Sequence, residues 1–133
     1  MVLHDVDVFP DAELVLLAGL TPRLQAAFGD SLRVVTILPA QFTAPVVRVK
    51  RTSGAPRDIV LDRPVLDADT FAASYGLASK VSRTVTAALL SLRGVPLPLG
   101  VISNVNVIAG SRWLPDANPD LFRFSASYEV FIH

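Results

Sequence analysis

The feature that most constrains this chain is the run from Phe122 to Ile132. Phe122, Phe124, Ala126, Tyr128, Val130 and Ile132 alternate with Arg123, Ser125, Ser127, Glu129 and Phe131, and a two-residue period is that of a strand with one face on a core. Burying the large members of the apolar set would contribute roughly 8–15 kcal/mol of gross hydrophobic stabilisation, at about 1.5–3 kcal/mol each. Val101 to His133 therefore reads as two long strands joined by the loop Arg112-Trp113-Leu114-Pro115-Asp116-Ala117-Asn118-Pro119-Asp120. The rest of the fold has to supply a layer that covers this hairpin.

Composition limits what that layer can be and do. A chain of 133 residues fits one domain, 1–133, and can bury roughly two-thirds of its unfolded surface. Twelve basic and twelve acidic side chains cancel, so no overall field favours nucleic acid, membrane or acidic substrate. Charged residues make up 18%, below the roughly 25% of an ordinary soluble domain. That surplus of apolar surface fits either contact with another chain or an apolar monomer. Arg outnumbers Lys ten to two; Arg suits interface pairing through its planar fork, and codon bias would give the same count. The absence of cysteine excludes disulfides, thiol nucleophiles and Cys-based metal sites. Met1 to Pro10 carries His4, Asp5 and Asp7 and lacks the basic start and apolar run of a signal peptide, so a soluble, non-exported protein is expected.

In chain order, Val2 to Pro10 reads as extended or as a loose arm, with Val6, Val8 and Phe9 available to a core or a neighbour. Asp11 can cap a helix whose Leu14, Leu17 and Ala18 share a face, and Thr21-Pro22 reads as a second cap and first-turn pair. The first helix is therefore expected in two segments, the second presenting Leu24, Ala27 and Phe28 before Gly29. Leu32 to Leu38, with Val34-Val35-Thr36-Ile37, predicts a strand. Pro45 to Arg51 predicts another, with Val47 and Val49 on one face and Arg48 and Lys50 on the other. A turn at Thr52 to Pro56 leads to a return through Asp58 to Leu61, and past Pro64, through Val65 to Phe71. Leu77, Val81, Val85, Ala88, Leu89 and Leu92 give helical spacing, with Ser79, Lys80, Ser82, Arg83 and Thr86 opposite. Pro96, Pro98 and Gly100 predict an irregular connection to the final hairpin. The result is an α+β fold, mostly antiparallel sheet packed with two helices, in the order α-β-β-β-α-β-β.

Catalytic signatures are scarce. His4 and His133 stand at the chain ends, and no phosphate loop, G-x-S-x-G elbow or H-E-x-x-H pair occurs. Asp58, Asp62, Asp67 and Asp69 could hold a hard cation in a small metal-dependent hydrolase or nuclease; the alternative is solvated carboxylates or partners of Arg57, Arg63 and neighbouring chains. Arg48, Lys50, Arg51 and Arg57 could meet phosphate or an acidic partner, or form a solvated hairpin tip. Trp113 beside Arg112 is either a core plug or an interface anchor. No catalytic residue, metal or cofactor is assigned.

Taken whole, the chain resembles the tail terminator proteins of long-tailed bacteriophages, also called minor tail or tail-completion proteins. The resemblance is carried by the amino-terminal helix, Pro45-Val46-Val47-Arg48-Val49, and the Asp67 to Ser74 segment leading into the helix with Ala78. It is carried above all by Trp113-Leu114-Pro115-Asp116 followed by Arg123-Phe124 and Tyr128. Two departures stand out: Arg51-Thr52-Ser53-Gly54 lacks the paired glycines expected in that turn, and Phe124 stands where tyrosine is common. The resemblance implies a tail-terminator-like fold and a non-enzymatic ring, a homohexamer, on the head-proximal end of the tail tube, made in the host cytoplasm and carried in the virion. Its partners would be other copies of itself, the major tail tube protein and head–tail connector or neck proteins. No membrane partner is implied. Arg48, Lys50, Arg51, Arg57, Arg112, Trp113 and Asp116 are the interface candidates; Lys80 and Arg83, with the basic hairpin, are candidates to face a lumen through which DNA passes. A head-side neck or head-completion protein is the other assembly role such a small fold could serve.

Overall fold

A computed structural model describes residues 8–58 and 60–133; His4, Val6 and Ile59 lie outside the described residues. The elements are α1 (Ala12–Phe28), β1 (Arg33–Val35), β2 (Val46–Ser53), β3 (Val65–Ala72), α2 (Tyr75–Ser91), β4 (Pro96–Leu97), β5 (Gly100–Leu114) and β6 (Phe122–Ile132). The strands form one six-stranded sheet in the order β1-β2-β3-β6-β5-β4, with β1 parallel to β2 and every other pairing antiparallel. The fold is α+β in the expected order, with the short β4 added where an irregular connection was expected.

Both helices pack on one face of the sheet. Val15, Leu16, Leu20 and Leu24 of α1 and Val81, Val85 and Leu89 of α2 share a core with Val47, Val49, Leu66, Ala68, Ala126, Tyr128 and Val130. Alternation along β2, β3 and β6 sends Arg48, Lys50, Asp67, Asp69, Arg123, Ser125, Ser127 and Glu129 to the other face. From Phe124 to Ile132 the inward members of β6 are buried as the period predicts, whereas Phe122 at the strand's start is only partly so. Tyr128 sits at the centre, and its hydroxyl lies 2.5 Å from Thr86 Oγ1. Burial pushes its phenol pKa up, and the Thr86 bond offsets part of that rise. Tyr128→Phe should cost about 1 kcal/mol, the worth of one satisfied buried hydrogen bond, measurable by urea denaturation.

Three expectations about the helical layer are corrected. α1 is one helix through Pro22, not two segments. The hydroxyl of Thr21 and the guanidinium of Arg23 donate to the carbonyls of Leu17 and Gly19, on either side of the Ala18 carbonyl that Pro22 leaves without its usual donor. Leu16, Leu20 and Leu24 are fully buried along this stretch; at roughly 1.5–3 kcal/mol each they outweigh a proline cost of about 3 kcal/mol. The buried face is also rotated: Val15, Leu16, Gly19 and Leu20 point inward, and Leu14 is 43% exposed. A Cβ on Gly19 would stand 2.8 Å from Leu92 Cδ1, so glycine lets α1 close onto the end of α2. Finally, Ser82 and Thr86 turn toward the sheet, Ser82 accepting from the Ser111 hydroxyl at 2.7 Å.

The strand expectations need smaller corrections. β1 covers only Arg33–Val35, and Ile37 beyond it is 78% exposed. Among the described residues, the segment after Pro56 is a turn, with Asp58 Oδ1 accepting from the Val60 and Leu61 amides at 2.9 and 3.0 Å. Arg112, Trp113 and Leu114 belong to β5, so the connecting loop is Pro115 to Leu121. The tip of the β2–β3 hairpin turns on a single glycine. Gly54 has φ +92°, and a Cβ there would lie 2.2 Å from the Arg63 carbonyl oxygen, so only glycine fits without displacing backbone.

Candidate functional site

The four acidic candidates do not converge; each is engaged separately. Asp62, 2% exposed, takes a two-pronged hydrogen bond from Arg51 at 2.7 and 3.0 Å. Asp67 accepts from the Ser127 hydroxyl at 2.6 Å. Asp69, 4% exposed, lies between Arg48 at 2.5 Å and Arg123 at 3.3 Å, while Asp58 caps its own turn. Among the described residues no three His, Cys, Asp or Glu side chains come together as a metal site. The carboxylates' partners are Arg51, Arg48 and Arg123, not the expected Arg57 and Arg63.

The Asp69 cluster follows from strand register. Arg48 is paired with Asp69 and Asp69 with Ser125 across β2, β3 and β6; one rung over, Lys50, Asp67 and Ser127 align in the same way. Arg123 is the register partner of Phe71, and the guanidiniums of Arg48 and Arg123 lie 5.7 and 5.8 Å from the centre of that ring. Phe42 closes over Phe71 edge-on, with ring centres 6.0 Å apart. Burial pushes the Asp69 carboxyl pKa up, but hydrogen bonds from Arg48 and Ser125 and the charges of Arg123 and Arg48 more than offset this and hold it below the ordinary carboxylate value. Arg48 and Arg51 are thus half-buried ion-pair members, whereas Lys50 and Arg57 are exposed.

Exposed candidates gather next to this cluster, on β5: Arg112 pairs with Ser125, in the same cross-strand row as Asp69 and Arg48. Trp113 is 49% exposed and sits opposite Phe124 in the β5–β6 register. Tyr75, at the start of α2 and 54% exposed, packs edge-on against Phe124 and Phe122 at 5.0 and 6.0 Å. Trp113 and Tyr75 therefore flank one partly open aromatic cluster. Arg112 is exposed and donates to the Ser125 carbonyl at 3.4 Å. Asp116 is turned into its own loop, accepting from the Asn118 amide at 3.1 Å, and Asn118 Oδ1 accepts in turn from the Asp120 amide at 2.9 Å.

Lys80 and Arg83 are exposed on α2, and Arg83 donates to the Ser79 hydroxyl at 3.3 Å. The sheet stands between them and the side chains of Arg48 and Lys50, so within one subunit these basic groups lie on opposite faces. Phe71 and Tyr75 carry no local sequence signal beyond their strand or helix position, and Arg123 is marked in the sequence only by the resemblance around it. For Arg123 the missing information was the register that sets it beside Asp69.

No helix among the described residues is long and apolar enough to cross a membrane. No protein-family model matches the chain, and no curated protein matches it in sequence. A solved chain from the virion of a native gene transfer agent particle superposes on 91% of this chain and 93% of its own length, with a TM-score of 0.65 at 15% sequence identity. At that identity the likeness is one of fold: the two helices and the sheet described above are an arrangement also found in a chain of a virion particle.

Proposed function

We propose that this chain is a structural subunit of a phage-like virion, and that it acts as a tail terminator. In this reading copies of it close into a ring on the head-proximal end of the tail tube, stop tube polymerisation and present a surface to the neck proteins of the head. The observation that carries the virion role is the near full-length fold likeness to a chain of a gene transfer agent virion. The finer assignment draws on the sequence resemblance around Trp113 to Asp116 and Arg123 to Tyr128. It is supported by exposed aromatic and Arg side chains at one sheet end, the composition of an interface hot spot. Carboxylates held by Arg or Ser partners within the subunit fit an assembly role better than hydrolysis.

The experiment is to mix the purified protein with isolated tail tubes and, separately, with DNA-filled heads, and to image both by electron microscopy. Density at one end of the tubes is the expected result. Binding to heads alone would make the protein a head-completion component, and binding to neither would remove it from the joint.

A further inference from the structure

Among the described residues, β5 is paired along its length on one side only. β6 covers that side from Ile102 to Leu114, while β4 occupies the other only at Gly100 and Val101. Among the described residues no strand continues along the free side. Asn106, Val107 and Ile108 are exposed at successive positions, Val107 at 42% and Ile108 at 57%, so both faces of this stretch are bare as well as its edge. Long edges are normally blunted by charge, proline or a covering element. Ser103 to Ser111 contains no charged residue and no proline, which leaves the register irregularities between Ile102 and Asn104 and between Val107 and Arg112 as the strand's own protection.

The opposite end of the sheet carries the complementary feature. Leu32 to Leu38 has the composition of a longer strand, yet only Arg33–Val35 is paired, and the β-branched Ile37 beyond them is largely exposed. The outer side of β1 is the other end of the sheet order. This segment holds more strand-forming sequence than the isolated subunit uses.

We propose that the free edge of β5 is occupied by the β1 segment of a second copy, Arg33 to Ile37, so that the sheet runs on from subunit to subunit. Strand direction permits it. β1 runs with β2, and successive reversals through β3 and β6 leave β5 opposed to β1, so a neighbour in the same orientation brings its β1 antiparallel to β5. Main-chain hydrogen bonds would then satisfy edge groups on both strands, with Ile37 available to pack beside Val107 or Ile108. Because the contact joins two different edges it is heterologous, the class of contact that a closed ring requires; a β5–β5 contact would be two-fold and stop at a dimer. The inference rests on the self-association in the proposed function and names its contact.

The absence of cysteine makes the test direct. Ile37→Cys is mixed in turn with Asn106→Cys, Val107→Cys and Ile108→Cys, at a concentration where sedimentation shows the unaltered protein associated. The mixtures are treated with oxidised glutathione and run on non-reducing gels. At least one mixture should yield covalent dimer about tenfold above the unmixed samples, since held contact raises effective concentration. A double variant combining the reactive positions should give a ladder of multimers. Dimer from a β5 variant alone would overturn the proposal in favour of a two-fold contact. An associated protein without cross-links would overturn the edge contact and leave the ring standing. A protein monomeric both in solution and on tail tubes would remove ring and contact together.

Discussion

Replacing Asp69 with alanine is expected to destabilise the subunit by about 3 kcal/mol, the low end for breaking a buried ion pair, because both guanidiniums retain some access to water. That corresponds to a fall in Tm of roughly 10 °C for a domain of this size. Asp69 is nearly inaccessible, and Arg48 and Arg123 are 28% exposed. Its removal would leave two like charges facing each other over Phe71 with no anion between them. Asp69→Asn preserves the shape and isolates the charge, and its effect depends on pH in a defined direction. The folded carboxyl has a pKa lowered from 3.8, so across that interval the unfolded chain binds more protons than the folded one. The stability this provides is fully present above the unfolded value and is lost as pH falls through the folded value. Urea titrations of the two proteins should therefore differ most near neutrality and converge below about pH 4. A gap unchanged between neutral and acidic pH would show that the Asp69 charge contributes nothing to folding.

Trp113→Ala should have the opposite profile, a large loss of assembly with little loss of stability. Half of the side chain is already in water, so unfolding should be easier by about 1 kcal/mol at most. As a central aromatic anchor beside Tyr75 and Arg112 it would carry about 2 kcal/mol or more of contact energy, which is roughly thirtyfold in affinity. Sedimentation and binding to tail tubes should show this weakening while thermal unfolding stays near that of the unaltered protein. Global unfolding would assign Trp113 to the core, and unchanged assembly would remove it from the interface.

The two tests address parts of the molecule that differ in how far they could be read from the sequence. Trp113, Arg112 and Asp116 were recognisable as candidates because their composition is local, although Asp116 proves to be turned into its own loop. The sequence offers Arg48 and Asp69 for separate roles, Arg48 as a basic group for phosphate or an acidic partner and Asp69 as a cation ligand. Their joint neutralisation depends on Arg48 pairing with Asp69 and on Arg123 pairing with Phe71, two residues along β3, and no local pattern encodes that register.

The sequence by itself determined the element order, the inward face of β6 and the Val47/Val49 face of β2, because a two-residue period states which side chains share a side whatever the strand pairs with. It also determined the apolar face of α2 apart from Ser82 and Thr86. Tertiary structure decided the orientation of α1, since apolar residues from Leu14 to Leu20 leave no polar face to choose against, and only contact with α2 and the sheet selects Leu16, Leu20 and Leu24. It likewise decided that β1 is parallel and short, that the acidic residues are engaged one by one, and that among the described residues one edge of β5 is left unpaired beyond Val101. Each of these depends on which backbone lies alongside, and that becomes known only when distant segments are packed together.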